Sequence, residues 1–393
     1  MRLLILTFYY PPDLSAGSFR TSALVEALHA LRPEGLHIDI ITTSPNRYRN
    51  MADGAAAFED HGWLTIRRLP LPPHRSGASD QARAFLAFAP GVLRATRGGE
   101  WDAVFATSSR LMTAALGAEV ARRAKAPLYV DIRDLFADTM GDLLSGNPLR
   151  ALLPVFRQIE KRTLGRADRV NLVSAGFLEH VSRVAPEHQY RLFTNGIDDA
   201  FLSEDFERTD GGDAAVPLVV YAGNIGDGQG LHRLLPEAAA RLDGRARFRV
   251  VGDGGRRAAL DAALEIRRIS SVERVPPVAR ARLNEHYREA DILFLHLNDH
   301  DAFRKVLPSK IFEYAATGKP ILAGVAGHAA DFLRREVPGA AVFAPCDAEG
   351  MVRAFDQLGM LGARIDRPAF REAFARRAIM ERMAADLIDL AKS

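Results

Sequence analysis

The sequence predicts two doubly wound α/β units in tandem. Short runs rich in β-branched and apolar residues alternate with helical stretches, as parallel sheets with crossover helices require. The alternation lapses over residues 202–217, where acidic residues, Gly211-Gly212 and Pro217 read as an exposed linker, and then restarts. A chain of 393 residues also exceeds one ordinary core. The expected division is residues 1–200 for the first unit, 201–217 for the linker, 218–366 for the second unit and 367–393 for a terminal helix.

The first unit is expected to hold strands at 2–8, 37–43, 64–69, 102–107, 127–131, 169–173 and 191–193. The second is expected to hold them at 218–222, 247–251, 272–275, 292–297, 320–324 and 340–343. In the tail, Phe370, Phe374, Met383, Leu387 and Leu390 fall roughly on one helical face, which reads as an ordinary packing helix able to cross back to the first unit. Residues 81–97 carry Phe85, Leu86, Phe88, Val92 and Leu93 between Arg83, Arg94 and Arg97. That pattern suits either a core or cleft element or a peripheral contact with an anionic membrane, and Pro90-Gly91 is expected to kink or break a helix there.

Composition narrows the function. With 48% hydrophobic and 26% charged residues the chain has the makeup of a globular protein. One cysteine, Cys346, allows neither an intramolecular disulfide nor a cysteine-based metal cluster, which fits a reducing cytoplasm. The opening apolar run meets Tyr9-Tyr10-Pro11-Pro12-Asp13 too soon for a signal peptide or a spanning helix, and reads as a buried strand. A net charge of +3, with arginine spread along the chain, does not indicate nucleic-acid binding but leaves room for anionic ligands.

The strongest single segment is residues 306–325, VLPSKIFEYAATGKPILAGV. Pro308 suits the start of a helix and Gly318 its end. Helical spacing then puts Ser309, Lys310 and Glu313 on one face and Ile311, Phe312 and Ala315 on the other. Amide donors and Lys310 suit a phosphate, while Glu313 one turn on can accept from ribose hydroxyls. A solvated face with a Lys310–Glu313 pair gives the same spacing. Residues 221–230, YAGNIGDGQG, follow a strand with Gly223, Asn224, Gly226, Gly228 and Gly230, a loop able to wrap a pyrophosphate. Its glycine spacing is not the dinucleotide fingerprint, which disfavours an NAD enzyme. Gly252, Asp253 and Gly254 repeat the device at the next strand end.

In the first unit, Gly17 and the neighbouring amides can face a phosphate, with Arg20 adding charge, or the segment is a simple capped helix start at Ser15 or Ser18. Arg133 and Asp134 sit where a buried strand ends; a structural Asp–Arg pair rivals an active-site role, and the two point to opposite sides if the strand continues. Asn195-Gly196 reads as a turn.

Taken together, YYPPDLSAGSFRTSALVEAL, VDIRDLFAD, TNGID, YAGNIG with QGL, VGDGG and PSKIFEYAATGKPILA stand in the order of the family-4 retaining glycosyltransferases, and nearly the whole chain resembles that family, particularly its bacterial surface-polysaccharide members. The resemblance implies the GT-B fold, two Rossmann-like domains with parallel sheets facing a central cleft. It implies an NDP-sugar donor on the C-terminal domain, a saccharide, lipid-linked or small-molecule acceptor mostly against the N-terminal one, and no obligatory metal or cofactor, the NDP-sugar being a substrate. Carried onto this chain, Glu313 looks like the ribose-binding glutamate, Gly17 like the N-terminal glycine loop, Asn195 and Gly196 like the pre-linker turn on the acceptor side, and Arg133 and Asp134 like an acceptor-side Arg-Asp. The pattern departs at Lys305, where a glutamate is usual, and at Asn224 and Gln229, near where an Arg and a Lys would fall. Lys310, Arg304, Lys305 and Arg20 then become the candidates for phosphate charge, with Ser309 beside them.

The function expected is transfer of a sugar, with retention, from an NDP-sugar, foremost a UDP-sugar, to a hydroxyl acceptor in cell-surface polysaccharide or glycolipid synthesis. Asp134, Arg133 and Lys310 are the expected catalytic residues: Asp134 orients the acceptor or acts as base, and Lys310 stabilises the leaving phosphate. An NDP-sugar 2-epimerase of the same fold and a nucleotide-sugar-binding protein without activity are the alternatives.

Overall fold

The computed structural model describes the chain except residues 14, 46–54, 73–77, 109–110, 144–147, 208–215 and 360–363. It divides into two compact units, Met1–Asn195 with Arg376–Ser393, and Gly196–Ala375.

The first unit is built on strands β1 (Arg2–Leu6), β2 (His37–Thr43), β3 (Phe58–Asp60), β4 (Leu64–Leu69), β5 (Ala103–Thr107), β6 (Leu128–Ile132), β7 (Arg169–Leu172) and β8 (Tyr190–Arg191). Their order is β3-β4-β2-β1-β5-β6-β7-β8. Every pairing is parallel except β3 with β4, where Glu59 faces Ile66. Helices cover both faces, so the central strands need apolar side chains on both: Leu3, Leu4, Ile5 and Leu6 are all at most 1% exposed. β3 is a charged three-residue edge that carries no such run.

The tail folds as two helices, Pro368–Ala373 and Arg376–Lys392, and only the second belongs to the first unit. Met383, Leu387 and Leu390 are its buried side. Arg169 and Arg191 reach Asp386 from β7 and β8 at 2.7 and 3.1 Å, and Arg169 also pairs with Asp389. Phe370 stays in the core of the second unit.

Within the segment expected as a linker, Asp199–Ser203 is a short helix, and Phe201 and Phe206 are 2% exposed in the second unit's core, stacked at 5.7 Å. Two aromatic rings outweigh the acidic residues around them. Residues 208–215 of that segment, Gly211-Gly212 among them, lie outside the described residues. A helix also runs through Pro90, over Ala78–Ala95, against expectation. The lost backbone bond is offset because Ala84, Phe88 and Val92 are fully buried along one side. Gly91 lets Leu69 approach, since a Cβ there would lie 2.8 Å from its Cδ1.

Arg20, expected beside a phosphate, is a structural residue. Its guanidinium is almost fully buried and donates to both oxygens of Asp131 at 2.9 and 3.0 Å, to the carbonyls of Phe193 and Thr194 at 2.7 and 2.8 Å, and toward Met383 Sδ. Asn171 Nδ2 also donates to Asp131 at 2.7 Å. One arginine thus joins the helix Ala16–Leu31, β6, the chain after β8 and the terminal helix. Arg20→Ala strands the Asp131 carboxylate in the core and is expected to cost about 3–5 kcal/mol, read by chemical denaturation. A loss below about 1 kcal/mol contradicts this role.

The second unit is built on β9 (Leu218–Ala222), β10 (Arg247–Val251), β11 (Val272–Val275), β12 (Ile292–His296), β13 (Ile321–Gly324) and β14 (Ala340–Phe343), ordered β11-β10-β9-β12-β13-β14 and all parallel. Its two cores lie on opposite faces of one sheet. Leu218, Val220 and Ala222 enter one with Leu293 and Leu295, while Val219 and Tyr221 enter the other with Ile292 and Phe294, as a period of two dictates. The strand order reverses between β9 and β12. Loops leaving the carboxyl ends of those two strands part there, and open α/β sheets take their ligands at such a crevice.

Candidate functional site

The loop after β9 and the loop after β10 are joined backbone to backbone. Gly223 N–H donates to Val251 O at 2.8 Å and Ile225 N–H to Asp253 O at 2.9 Å. A Cβ on Gly252, whose φ is +140°, would lie 1.9 Å from Gly223 O, so no side chain fits there. A Cβ on Gly254 would lie 2.6 Å from the Ile225 carbonyl oxygen.

Lys310 lies across this junction. A Cβ on Gly223 would stand 2.5 Å from Lys310 Cε and 2.9 Å from Nζ, which puts the ammonium against the first glycine of the loop. Its helix, Lys310–Ala316, is anchored by what it buries: Ile311, Phe312, Tyr314 and Ala315 are all fully buried. The Tyr314 hydroxyl accepts the Ala222 N–H at 3.2 Å, so the helix is tied to the last residue of β9. Gly318, at φ +76°, turns the chain beyond it, and Arg367 donates to Ala315 O at 3.1 Å at its carboxyl end. Ser309, Lys310 and Glu313 remain half-buried on the opposite side. The amides of Ile311 and Phe312 are engaged by Pro308 O and Ser309 O at 3.1 Å, so these two point back into the turn.

Asn224 and Gln229 close the loop on itself. Asn224 Nδ2 donates to Gln229 Oε1 at 2.9 Å and Gly226 N–H to the same oxygen at 3.2 Å, while the Tyr221 hydroxyl donates to Asn224 O at 2.6 Å. The Asn224 amide, expected toward the donor, is thereby committed within the loop. Asp253 accepts from Gly254 N–H at 2.8 Å. Arg304 is exposed, and Asp299 and Asp301 answer its charge at 3.4 and 3.5 Å. Its carbonyl rests against Gly327. Of the four expected phosphate cations, Arg20 is buried in the first unit's core and Arg304 is met by its own turn. Lys305 is half-buried in that turn, and Lys310 alone is seen against a glycine loop.

A buried network that the sequence did not signal holds the two sides of the crevice. His296 at the end of β12 has Nδ1 2.6 Å from Gln229 O, where it must donate, and its Nε2 accepts the Cys346 N–H at 2.9 Å. Asn298 Nδ2 donates to Asp227 O at 2.9 Å, and its Oδ1 accepts from Arg233 at 2.9 Å. Asn298 also fills the space beside Gly230. Burial pushes the His296 imidazolium down to about 4, so the ring stays neutral in its two-sided role.

In the first unit, Ser15 caps the helix Ala16–Leu31 by accepting from Ser18 N–H, and Gly17 lies in its first turn. Arg133 Nη1 donates to Ala16 O at 3.2 Å and approaches Gly17. The strand β6 ends at Ile132 and Arg133 N–H is held by Ser108 Oγ at 3.0 Å, so Arg133 and Asp134 lie beyond the pleat rather than alternating along it. Asp134 keeps an exposed surface. Desolvation by the surrounding protein still pushes its carboxyl up to about 6, against the lowering pull of Arg133. Arg376, 7% exposed, brings a further guanidinium near Arg20 and Arg133, and burial pushes it down to about 9. Asn195 is buried as the last residue of this stretch of the first unit, and Gly196 opens the second. Among the described residues no three His, Cys, Asp or Glu side chains come together as a metal site, and no helix is long and apolar enough to cross a membrane.

Two domains of parallel sheet, each reversing at a central strand, define the GT-B architecture. Residues 20–196 match the glycosyl transferase 4-like domain, and residues 216–359 match the glycosyl transferases group 1 domain. The chain therefore belongs to the GT-B glycosyltransferases. No curated protein sequence matches it. Among solved structures it is similar to sucrose-phosphate synthase from Thermosynechococcus elongatus, at 16% identity and a TM-score of 0.79 over 100% of both chains. It is also similar to HepE from Anabaena in complex with UDP and glucose, at 16% identity and a TM-score of 0.70 over 99% of this chain and 100% of that one. A third is the lipopolysaccharide outer core galactosyltransferase WaaB, at 10% identity and a TM-score of 0.63 over 99% of both.

His296 sets a pH dependence. Its folded value of about 4 lies below the ordinary imidazole value of 6.5. The unfolded chain therefore takes up a proton that the native one refuses. Stability is fully present above pH 6.5 and is lost as pH falls toward 4, by on the order of 3 kcal/mol. Urea titrations across that window are expected to show a shallower decline in His296→Asn; an unchanged slope contradicts the assignment.

Proposed function

We propose that this glycosyltransferase takes an NDP-sugar as donor, foremost a UDP-sugar, and transfers its sugar with retention to a hydroxyl acceptor in bacterial surface-polysaccharide or glycolipid synthesis. The observation that carries the reading is Lys310 laid over Gly223 where the two glycine loops meet, with Glu313 one turn further along the same half-buried face. The ammonium answers the charge of a diphosphate, and the carboxylate accepts from the vicinal hydroxyls of its ribose. Loss of the nucleoside diphosphate builds negative charge on the outer phosphate, and a cation held in place by a buried helix stabilises that charge without reorganising. The HepE structures, which hold UDP-glucose or UDP with glucose, support a uridine donor and a saccharide acceptor.

In this reading the first unit serves the acceptor, with Asp134 taking or orienting the hydroxyl proton and Arg133 beside it. The transfer needs no enzymic nucleophile: the bond from the sugar to the leaving phosphate breaks, the acceptor oxygen bonds to the same carbon, and the acceptor proton goes to Asp134 or to the leaving phosphate.

A thermal-shift panel of UDP, GDP, dTDP and ADP tests the donor, since the nucleotide that binds the folded state raises its melting temperature. UDP is expected to give the largest rise, and Glu313→Ala to abolish most of it; an undiminished rise removes Glu313 from the ribose. With Asp134 as base, transfer falls as pH drops through about 6, the carboxylate being lost below that value. Asp134→Asn is expected to slow transfer by about 10²–10⁴-fold and to erase that acid limb. A limb that persists in the variant belongs to another group.

A further inference from the structure

In an NDP-sugar the diphosphate joins the nucleoside on one side to the sugar on the other. The donor reading above puts the ribose at Glu313 and the diphosphate at Lys310, one turn earlier on the same face of the helix Lys310–Ala316. The sugar then lies across the phosphates from the ribose, toward the chain that precedes Lys310. That chain is the 3-10 turn Asp301–Lys305, followed by extended Val306.

The turn is clamped to the glycine loop after β9. Asn298 N–H, just ahead of it, donates to Gly228 O at 2.8 Å. The Phe303 ring stands so near that a Cβ on Gly228 would lie 3.0 Å from its Cζ, and one on Gly327 would lie 2.3 Å from Arg304 O. Ala302 within the turn and Leu307 just beyond it are buried. Lys305 is therefore presented, half-buried, from a fixed backbone.

The chemistry of this stretch is one-sided. From Ala302 to Phe312 the sequence carries Arg304, Lys305 and Lys310 and no carboxylate. The acids ahead of it, Asp299 and Asp301, stand by Arg304 at 3.4 and 3.5 Å. A sugar hydroxyl both donates and accepts, and an ammonium can only donate to it. A sugar carboxylate only accepts and brings opposite charge, so it uses all that an ammonium offers. We propose, resting on that donor reading, that the sugar transferred is a uronic acid and that Lys305 takes its carboxylate.

The test is calorimetric titration of the full chain with UDP and with two matched pairs, UDP-glucose against UDP-glucuronate and UDP-galactose against UDP-galacturonate. Each pair differs only in a carboxylate standing where the neutral sugar has a hydroxymethyl group. At least one uronate is expected to bind roughly 10–100-fold more tightly than its neutral counterpart. Lys305→Gln is expected to bring that pair close to equality, and Lys305→Arg to keep most of the preference. Binding of UDP with no preference in either pair overturns the proposal and leaves the nucleotide reading standing. A preference that survives in Lys305→Gln also overturns it, as does a loss in that variant shared equally by UDP and every sugar nucleotide, which would put Lys305 on the diphosphate. Failure of UDP and all the sugar nucleotides to bind removes the donor reading itself, and the proposal with it.

Discussion

Two strand ends in the second unit come so near that no side chain fits on Gly252 between them, and the candidate donor site is built outward from that constraint. Gly252 can lie under the Gly223 carbonyl because it carries no side chain, and the bare Gly223 leaves its own Cβ position to Lys310. That proximity carries the β9–β10 ladder past the ends of the strands, through Gly223 N–H to Val251 O and Ile225 N–H to Asp253 O. A loop held at both ends in this way presents a fixed backbone. Such a surface suits a ligand whose charge is spread over several oxygens.

Lys310 depends on the same arrangement. Its helix is short, and a helix of seven residues has little stability of its own. What fixes it is burial of Ile311, Phe312, Tyr314 and Ala315, the bond from Ala222 N–H to the Tyr314 hydroxyl, and the Arg367 guanidinium at its far end. The apolar side of the segment therefore positions the polar side. Across the crevice, neutral His296 holds the end of β12 both to the glycine loop and to the backbone of Cys346. The first unit uses a different device, the buried Arg20–Asp131 pair, to fasten the terminal helix onto its sheet.

Much of this was legible because it is written locally. β9, buried throughout, appears as an unbroken apolar run, and β2, β4, β10, β11 and β14 carry enough apolar and β-branched residues among their polar ones that all six fall where the pattern puts them. The i, i+3 spacing of Lys310 and Glu313 against Ile311, Phe312 and Ala315 likewise predicts the helix faces. What was not legible depends on partners distant in sequence. Nothing near Arg20 announces Asp131, 111 residues away, or Met383, 363 away. His296 and Cys346 are 50 apart, and no periodicity links them. Asn224 and Gln229 stand near where the family resemblance implies an Arg and a Lys, yet only the folded structure reveals that they bond to each other. The edge strand β3 is too short and too charged to register, and the helix through Pro90 survives on tertiary burial that outweighs a local breaker.

The donor site stands or falls with the ammonium over Gly223 answering phosphate charge. Calorimetric titration of UDP and of uridine into the parent chain and into Lys310→Ala isolates that contact, because the two ligands differ only in the diphosphate. The variant is expected to lose most of the advantage UDP holds over uridine while binding uridine as the parent does. An advantage that survives intact, or a loss shared equally by both ligands, would contradict the assignment of Lys310 to the diphosphate.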